Sequence, residues 1–349
     1  MKIVKPEAHI IQKKGLTPYQ FIEKVGRTCY KSEDKITEDS AVKFVNGLCS
    51  RKHFAMLEHF WVHVIVNTDI TLPYCFDEMG LSNYRRYMYF TIVGDDTYVS
   101  MPIRVILETK DIMDAQDNPY HTPIKDMYQS VFNEFPDLFN SSKDSSGCAT
   151  YLEEDQFCDT LVKVLQQEEA NGESIKREVM KHKTHTAHFV CDRGVSHELV
   201  RHRPCSFAQE STRYCNYSHN KFGEEITVIL PLFFDTGMGT SSNSLVYEAW
   251  KYSCEVAERK YFELLNYGAK PQEARSVLPN SLKTEIIVTA NETEWQHIIN
   301  LRYLGTTGAP HPQMKEVMSL VVEDLNVGSE GRLKYEANEE TRQKRERIS

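Results

Sequence analysis

The chain has 349 residues, 41 Lys+Arg against 50 Asp+Glu for a net charge of −9, and 40% apolar residues. That composition sustains a buried core and excludes disorder as the main state, while the acidic balance excludes a general nucleic-acid surface. No apolar run is long enough to span a bilayer, the opening MKIVKPEAHIIQKKG lacks a signal peptide's apolar region, and nine scattered cysteines never fall in CxxC spacing. The expectation is a cytoplasmic protein with reduced thiols, no membrane span and no metal site.

In chain order, Thr17-Pro18-Tyr19-Gln20 combines a capping Thr, a first-turn Pro and a capping-box Gln, so a helix is expected through Cys29. A second helix is expected over 39–49, and the β-branched and aromatic run Phe60–Val66 predicts a strand. From 68 to 184 the texture changes, and the stretch reads as an insertion or elaboration of one domain spanning 1–330. Within it Tyr87–Val93 and Thr97–Leu107 flank Gly94-Asp95-Asp96 as a hairpin, and Asp137–Gly147 reads as an exposed loop. Thr186–Cys191 predicts a strand and Val195–Arg201 a helix. Leu245–Leu265 predicts a long amphipathic helix with Val246, Ala249, Trp250, Cys254, Ala257, Tyr261 and Leu264 on its apolar face. Two further helices are expected over 281–304, and one from Pro312 burying Met314, Val317, Met318, Val321 and Leu325. The charged stretch 331–349 reads as a flexible tail.

The densest polar segment is Arg201-His202-Arg203-Pro204-Cys205-Ser206-Phe207-Ala208-Gln209-Glu210-Ser211-Thr212-Arg213-Tyr214. Guanidinium forks, hydroxyls and turn N–H groups together make an anion cradle, which suits a phosphate-bearing ligand. By composition alone a solvated basic turn on an acidic surface is the more ordinary reading. His182, His185 and His188, spaced by three, read as surface or strand-flanking histidines because no carboxylate or thiol partner has ligand spacing.

The spacing RHRxxSxxxxSxRY resembles the signature of the flavin-dependent thymidylate synthases. The likeness extends through Cys191–Val200 before it and Cys215-Asn216-Tyr217-Ser218 after it. Arg27–Tyr30 and His53–His59 are similar to the family's N-terminal segments. Glu273–Pro279, Leu282–Glu285, Thr289–Asn291, Asn300–Arg302 and His311–Met314 follow in the family's order.

The resemblance implies an α+β fold, a mixed or antiparallel sheet flanked by long helices with a large insertion. It implies reductive methylation of dUMP to dTMP, with bound FAD, and with NADPH and methylenetetrahydrofolate as co-substrates, in a homotetramer. Arg201, His202, Arg203, His53, Ala55, Glu58, Gln209, Asn291, His297 and His311 are implied at the flavin. Glu198, Arg201, Gln209, Glu210, Ser211, Thr212, Arg213 and Arg275 are implied at the nucleotide, with Arg302 as the catalytic residue polarising the uracil. Asn291, with Glu294 three residues on, reads equally as a helix cap. Cys205 and Cys215 read as structural rather than nucleophilic, and Ser211 has no adjacent general base.

Three departures stand out: Ala208 where Asn is common, Gln209 where Glu is common, and Thr293 where many relatives carry Arg. They leave open a related pyrimidine deoxynucleotide (hydroxy)methylating flavoenzyme, or a catalytically silent nucleotide-binding homologue.

Overall fold

The computed structural model describes residues 1–115, 118, 121–139, 143–213, 217, 223–234 and 241–335. Ten strands form two four-stranded antiparallel sheets and one short parallel pair among the described residues. In the first sheet, β2 (Glu7–Ile10), β7 (Thr184–Asp192), β10 (Lys283–Asn291) and β8 (Ser206–Gln209) lie in the order β2-β7-β10-β8. In the second, β3 (Trp61–Asn67), β4 (Tyr89–Val93), β5 (Asp96–Pro102) and β6 (Ala149–Leu152) lie in the order β4-β5-β3-β6. The parallel pair joins β1 (Lys2–Val4) to β9 (Thr227–Ile229).

The centre of the first sheet differs from the sequence expectation, which placed two helices over 281–304. Residues 283–291 are the interior strand β10, and only Glu292–Ile299 and the π-turn Asn300–Leu304 are helical. The β-branched run Ile286-Ile287-Val288-Thr289 fits a strand buried on both faces, where an uninterrupted apolar run replaces alternation. Ile286, Val288 and Ala290 join Ala187, Phe189 and Cys191 of β7 on one face. That face packs against Arg193–Leu199, Glu292–Ile299, Pro312–Ser319 and Val322–Gly328. The expected burial of Met314, Val317, Met318, Val321 and Leu325 holds, in two short helices rather than one.

Ile287 and Ala208 point the other way, into a core shared with Phe21, Ile22 and Val25 of the helix Pro18–Tyr30. Val62, Val64, Val66, Val99 and Met101 of the second sheet belong to the same core. The first helix carries the expected capping box, with Thr17 and Gln20 bonding reciprocally.

Residues 68–184 thus supply three strands of the second sheet and share a core with the signature strand β8. The hairpin ends earlier than expected, because Ile103–Asp114 is a helix that begins directly after Pro102. Part of the expected loop is also helical: Pro136–Phe139 turns Phe139 into the core. In the long helix Ser241–Asn266, Cys254 and Tyr261 are buried, yet Val246 and Ala249 are exposed, and in those turns it is Tyr247 and Trp250 that pack, against Phe234. At the start of the expected tail, residues 331–335 are docked, Arg332 bonding Glu292 at 2.7 and 2.9 Å and Leu333 buried; 336–349 lie outside the described residues.

The three spaced histidines share no face. His182 ends the helix Gly172–His182, buried between Thr91 and Ser100 rather than at the surface. His185 and His188 point to opposite faces of β7, pairing with Glu292 at 2.9 Å and Glu285 at 3.2 Å. An odd step along a strand flips the side chain, so helix-like spacing builds no cluster there.

One ionic knot ties the two halves together. Glu154, at the start of the helix Glu154–Gln167, accepts from the Thr184 N–H at 3.0 Å and its hydroxyl at 2.6 Å, and pairs with Lys13 at 3.1 Å and Lys183 at 3.5 Å. Burial alone would raise its pKa, but Lys13, His63 and Lys183 hold it well below the usual carboxylate range. A depressed folded pKa contributes stability that is fully present above the unfolded value near 4.5 and is lost as pH falls. Glu154→Gln should therefore cost about 2–3 kcal/mol at pH 7, discounting the partly exposed lysines, and its deficit relative to wild type should shrink as pH falls from about 5 toward 2. Denaturant unfolding at pH 7 and pH 3 measures both.

Candidate active site

The signature segment hangs between two anchors on one helix. Asp192 caps Arg193–Leu199 by accepting from the Val195 N–H at 2.8 Å, and Gln313 holds the other Asp192 oxygen at 2.8 Å. One turn in, the Ser196 hydroxyl accepts from Gln209 Nε2 at 2.9 Å, and Gln209 also reaches Thr284 at 3.2 Å. Arg193 Nη2 donates to the Glu210 carbonyl at 3.1 Å.

At the helix's far end Arg302 makes three contacts. Its Nη1 pairs with Glu198 Oε2 at 2.8 Å, its Nη2 donates to the Glu198 carbonyl at 3.2 Å, and its Nε donates to His202 Nε2 at 3.0 Å. A cation on a C-terminal carbonyl also meets the negative end of the helix dipole. Arg302 sits in the π-turn that Gly305 closes at φ +73°, where an added Cβ would lie 2.9 Å from Pro310 Cδ. His202 is buried, with His297 edge-on at 5.7 Å and Glu294 Oε1 at 3.7 Å from its Nδ1.

From Ser206 to Arg213 burial alternates: Ser206, Ala208, Glu210 and Thr212 are inward, while Phe207, Gln209, Ser211 and Arg213 are less covered. Glu210 is spent internally, bonding Lys283 and the Tyr217 hydroxyl, each at 3.3 Å. Thr212 accepts from Arg275 Nη1 at 3.2 Å, which sets Arg275 against this segment. Ser211 donates its backbone N–H to the Cys29 carbonyl at 3.4 Å. Arg201, Arg203 and Arg275 are exposed. Tyr214, Cys215, Asn216 and Ser218 lie outside the described residues.

On the sheet's other side the segment borders a cavity of about 530 Å³. Pro204, Cys205, Ser206 and Thr289 line one wall; Trp61, Tyr89, Arg104 and Glu58 stand among the residues opposite. Trp61 and Tyr89 stack at 5.5 Å and 24°, and Trp61's buried indole N–H finds no acceptor among the described residues. Burial, with Glu294's charge, pushes the Tyr89 phenol up to about 12, and Tyr89 bonds Asn291. Burial raises Glu58, opposed by its ion pair with Arg104 and by Arg203. Burial likewise lifts the Cys205 thiol far above its ordinary range, outweighing Arg203, so a thiolate is disfavoured there.

The expected flavin residues fall into several places. Glu58 lines the cavity, Asn291 reaches it through Tyr89, and Arg203 acts on Glu58. His202 and His297 stand together beside Glu294. Asn291 is a cap, accepting from the Glu294 N–H at 3.0 Å, and also donates to the Lys181 carbonyl at 2.9 Å. His53 bonds Tyr30 just before the turn Phe54–His59 that carries Ala55 and Glu58. His311 stands apart, exposed before Pro312–Ser319 and against Phe233. Sequence reasoning passed over Trp61, Tyr89 and Arg104, since two strands and a helix distant in sequence carry no local motif; it noticed Glu294 only as a capping partner.

A family profile described as thymidylate synthase complementing protein matches residues 144–326, just over half of the chain. The flavin-dependent thymidylate synthase of Thermococcus onnurineus is 35% identical over 112 residues, covering 32% of this chain and 42% of that protein. The flavin-dependent thymidylate synthase of Pyrococcus furiosus is 34% identical over 125 residues, covering 36% and 48%. A structure of the UMP/dUMP methylase PolB from Streptomyces cacaoi, bound with 5-Br UMP, aligns at TM-score 0.37 and 20% identity, over 52% of this chain and 85% of that one. The chain spans about half the length of the curated relatives it matches. His53, Ala55 and Glu58 lie outside the profile's span.

Inside that span, the Gln209 bridge gives a direct check. Gln209→Leu leaves the Ser196 and Thr284 hydroxyls without their shared donor and should cost about 1–2 kcal/mol in denaturant unfolding, and Gln209→Glu should not restore it, because a carboxylate only accepts and the Ser196 hydroxyl already donates to the Arg193 carbonyl at 3.0 Å.

Proposed function

The chain belongs to the thymidylate synthase complementing protein family, and from that premise we propose that it is a flavin-dependent thymidylate synthase, converting dUMP to dTMP. The observation that carries the reading is Arg302: a guanidinium held from three sides at the end of the helix that also anchors Gln209. Orientation set before the substrate arrives is what allows a cation to favour a transition state over a ground state. Beside a uracil, its remaining N–H groups would stabilise enolate-like charge on the ring and favour loss of the N3 proton.

The nucleotide phosphate and sugar would be held by Ser211, Arg213 and Arg275, with Gln209 and Glu198 at the pyrimidine end. In a chain of net charge −9, such a dianion needs a local group of arginines. Glu210 and Thr212 would act by holding that segment in place, through Lys283, Tyr217 and Arg275.

The residues present suit a flavin. The cavity beside Pro204–Ser206 offers stacked aromatic walls, a buried indole donor with no acceptor among the described residues and the Arg104–Glu58 pair, matching a flat ring edged with acceptors. Glu58, Arg203 and Asn291 would hold it there, with His53 and Ala55 on the adjoining turn and Arg201, His202, His297 and His311 toward its phosphates. Bound FAD would supply the hydride that completes the methyl group, with methylenetetrahydrofolate as carbon donor and NADPH as reductant. Residues 1–330 would act as one unit in a cytoplasmic homotetramer; no described helix is long and apolar enough to cross a membrane.

The test incubates FAD-saturated protein with dUMP, methylenetetrahydrofolate and NADPH, with dCMP in parallel, and identifies the nucleotide product by mass. The expected result is a methyl gain on dUMP, reduced about 10²–10³-fold by Arg302→Ala. Bound flavin with no product from either nucleotide would overturn the reading.

A further inference from the structure

His202 is under a constraint that its neighbours make explicit. Arg302 Nε lies 3.0 Å from His202 Nε2, and a guanidinium has only donors. Nε2 must therefore present its lone pair, which places the ring's proton on Nδ1. That nitrogen faces Glu294 Oε1 at 3.7 Å. The distance exceeds a hydrogen bond, but the two groups share one buried corner and Glu294 Oε1 has no hydrogen-bond partner among the described residues. Such contacts commonly tighten only when substrate is bound.

Glu294 is well placed to impose this. Its backbone N–H is fixed by the Asn291 cap in the first turn of Glu292–Ile299, and the residue is 8% exposed. A carboxylate accepts only, so beside it the Nδ1–H tautomer of His202 is favoured and the Nε2–H tautomer disfavoured. His202, Glu294 and His297 do offer three possible metal ligands within 4.8 Å of one another. A metal on Nδ1 would leave the neutral ring's proton on Nε2, facing the Arg302 N–H, so metal ligation and the Arg302 contact exclude each other.

We propose that Glu294 is a positioning residue for the reaction: by accepting the His202 Nδ1 proton it fixes the Nε2 lone pair and so holds Arg302 in its orientation against Glu198. The chemical role rests on the synthase reading, whereas the tautomer does not.

The experiment compares Glu294→Gln, which keeps an acceptor of nearly the same shape, with Glu294→Leu, which has none. Nitrogen-15 NMR of histidine-labelled protein, with His202 assigned through His202→Asn, should show Nδ1 protonated and Nε2 bare in the wild type. Glu294→Gln should retain that pattern and Glu294→Leu should lose it. With dUMP, kcat should fall about 10–100-fold in Glu294→Leu and recover to within about threefold of wild type in Glu294→Gln. An unprotonated Nδ1 in the wild type would overturn the proposal even if Glu294→Leu fails to fold. So would an unchanged tautomer in Glu294→Leu, or an equal loss of kcat in both variants. If no thymidylate forms at all, the synthase reading fails while the NMR result still decides the role of Glu294 toward His202.

Discussion

The structure depends most on the fixing of the short helix Arg193–Leu199. Seven residues cannot hold themselves helical in water, so their geometry is borrowed from outside. Asp192 and Gln313 set the start, Ser196 is tied to Gln209, and Arg302 closes the end on Glu198. Because β7 runs directly into this helix and the signature directly out of it, those contacts also set the entry angle of everything from Arg201 to Arg213. Strand β10 completes the frame, pairing with β7 on one side and β8 on the other, so helix and signature strand meet over the same Ile286–Val288 floor.

Charge plays a second structural part, and much of it is inside. Glu285 on β10 is held well below the usual carboxylate range, burial being overcome by His188, Lys283 and Lys31, and Lys283 passes the chain of contacts on to Glu210. Removing one member of such a chain strands the others, so it resists piecemeal change and fixes register more than it adds net stability. Glu154 does the same between the second sheet and β7. The acidic surplus in composition therefore says little about the site, whose local balance is set by which carboxylates these networks have already taken up.

What the sequence made legible follows from what was local. The capping box at Thr17 and the cap at Asn291 are written within four residues each and the strand after Phe60 within seven, and all are present. β10 was misread because a doubly buried strand loses its alternation and resembles a buried helix segment. The early turns of Ser241–Asn266 differ from expectation because amphipathic spacing shows which face can be buried, not which of its residues a neighbour covers. Pairings such as Arg302 with Glu198, or Trp61 with Tyr89, are separated by whole elements and had no local signal; the first was approachable only through the family likeness.

The alternation along Ser206–Arg213 explains how one segment can be both framework and site. Its inward positions are Ser206, Ala208, Glu210 and Thr212, and each is committed: Ser206 to the Glu58 carbonyl, Ala208 to the core with Ile287, Glu210 to Lys283, Thr212 to Arg275. The less covered positions are Gln209, Ser211 and Arg213, which share the opposite side. A departure such as Ala208 is therefore a packing choice on the inward side, since a larger polar residue there would have to be buried against Ile287 without a partner. Gln209 is a departure of another kind, on the accessible side: it exchanges a charge for an amide that donates to two hydroxyls, Ser196 and Thr284. A carboxylate in its place would have to receive both hydroxyl protons instead, reversing the donor pattern at the start of the helix that ends on Arg302.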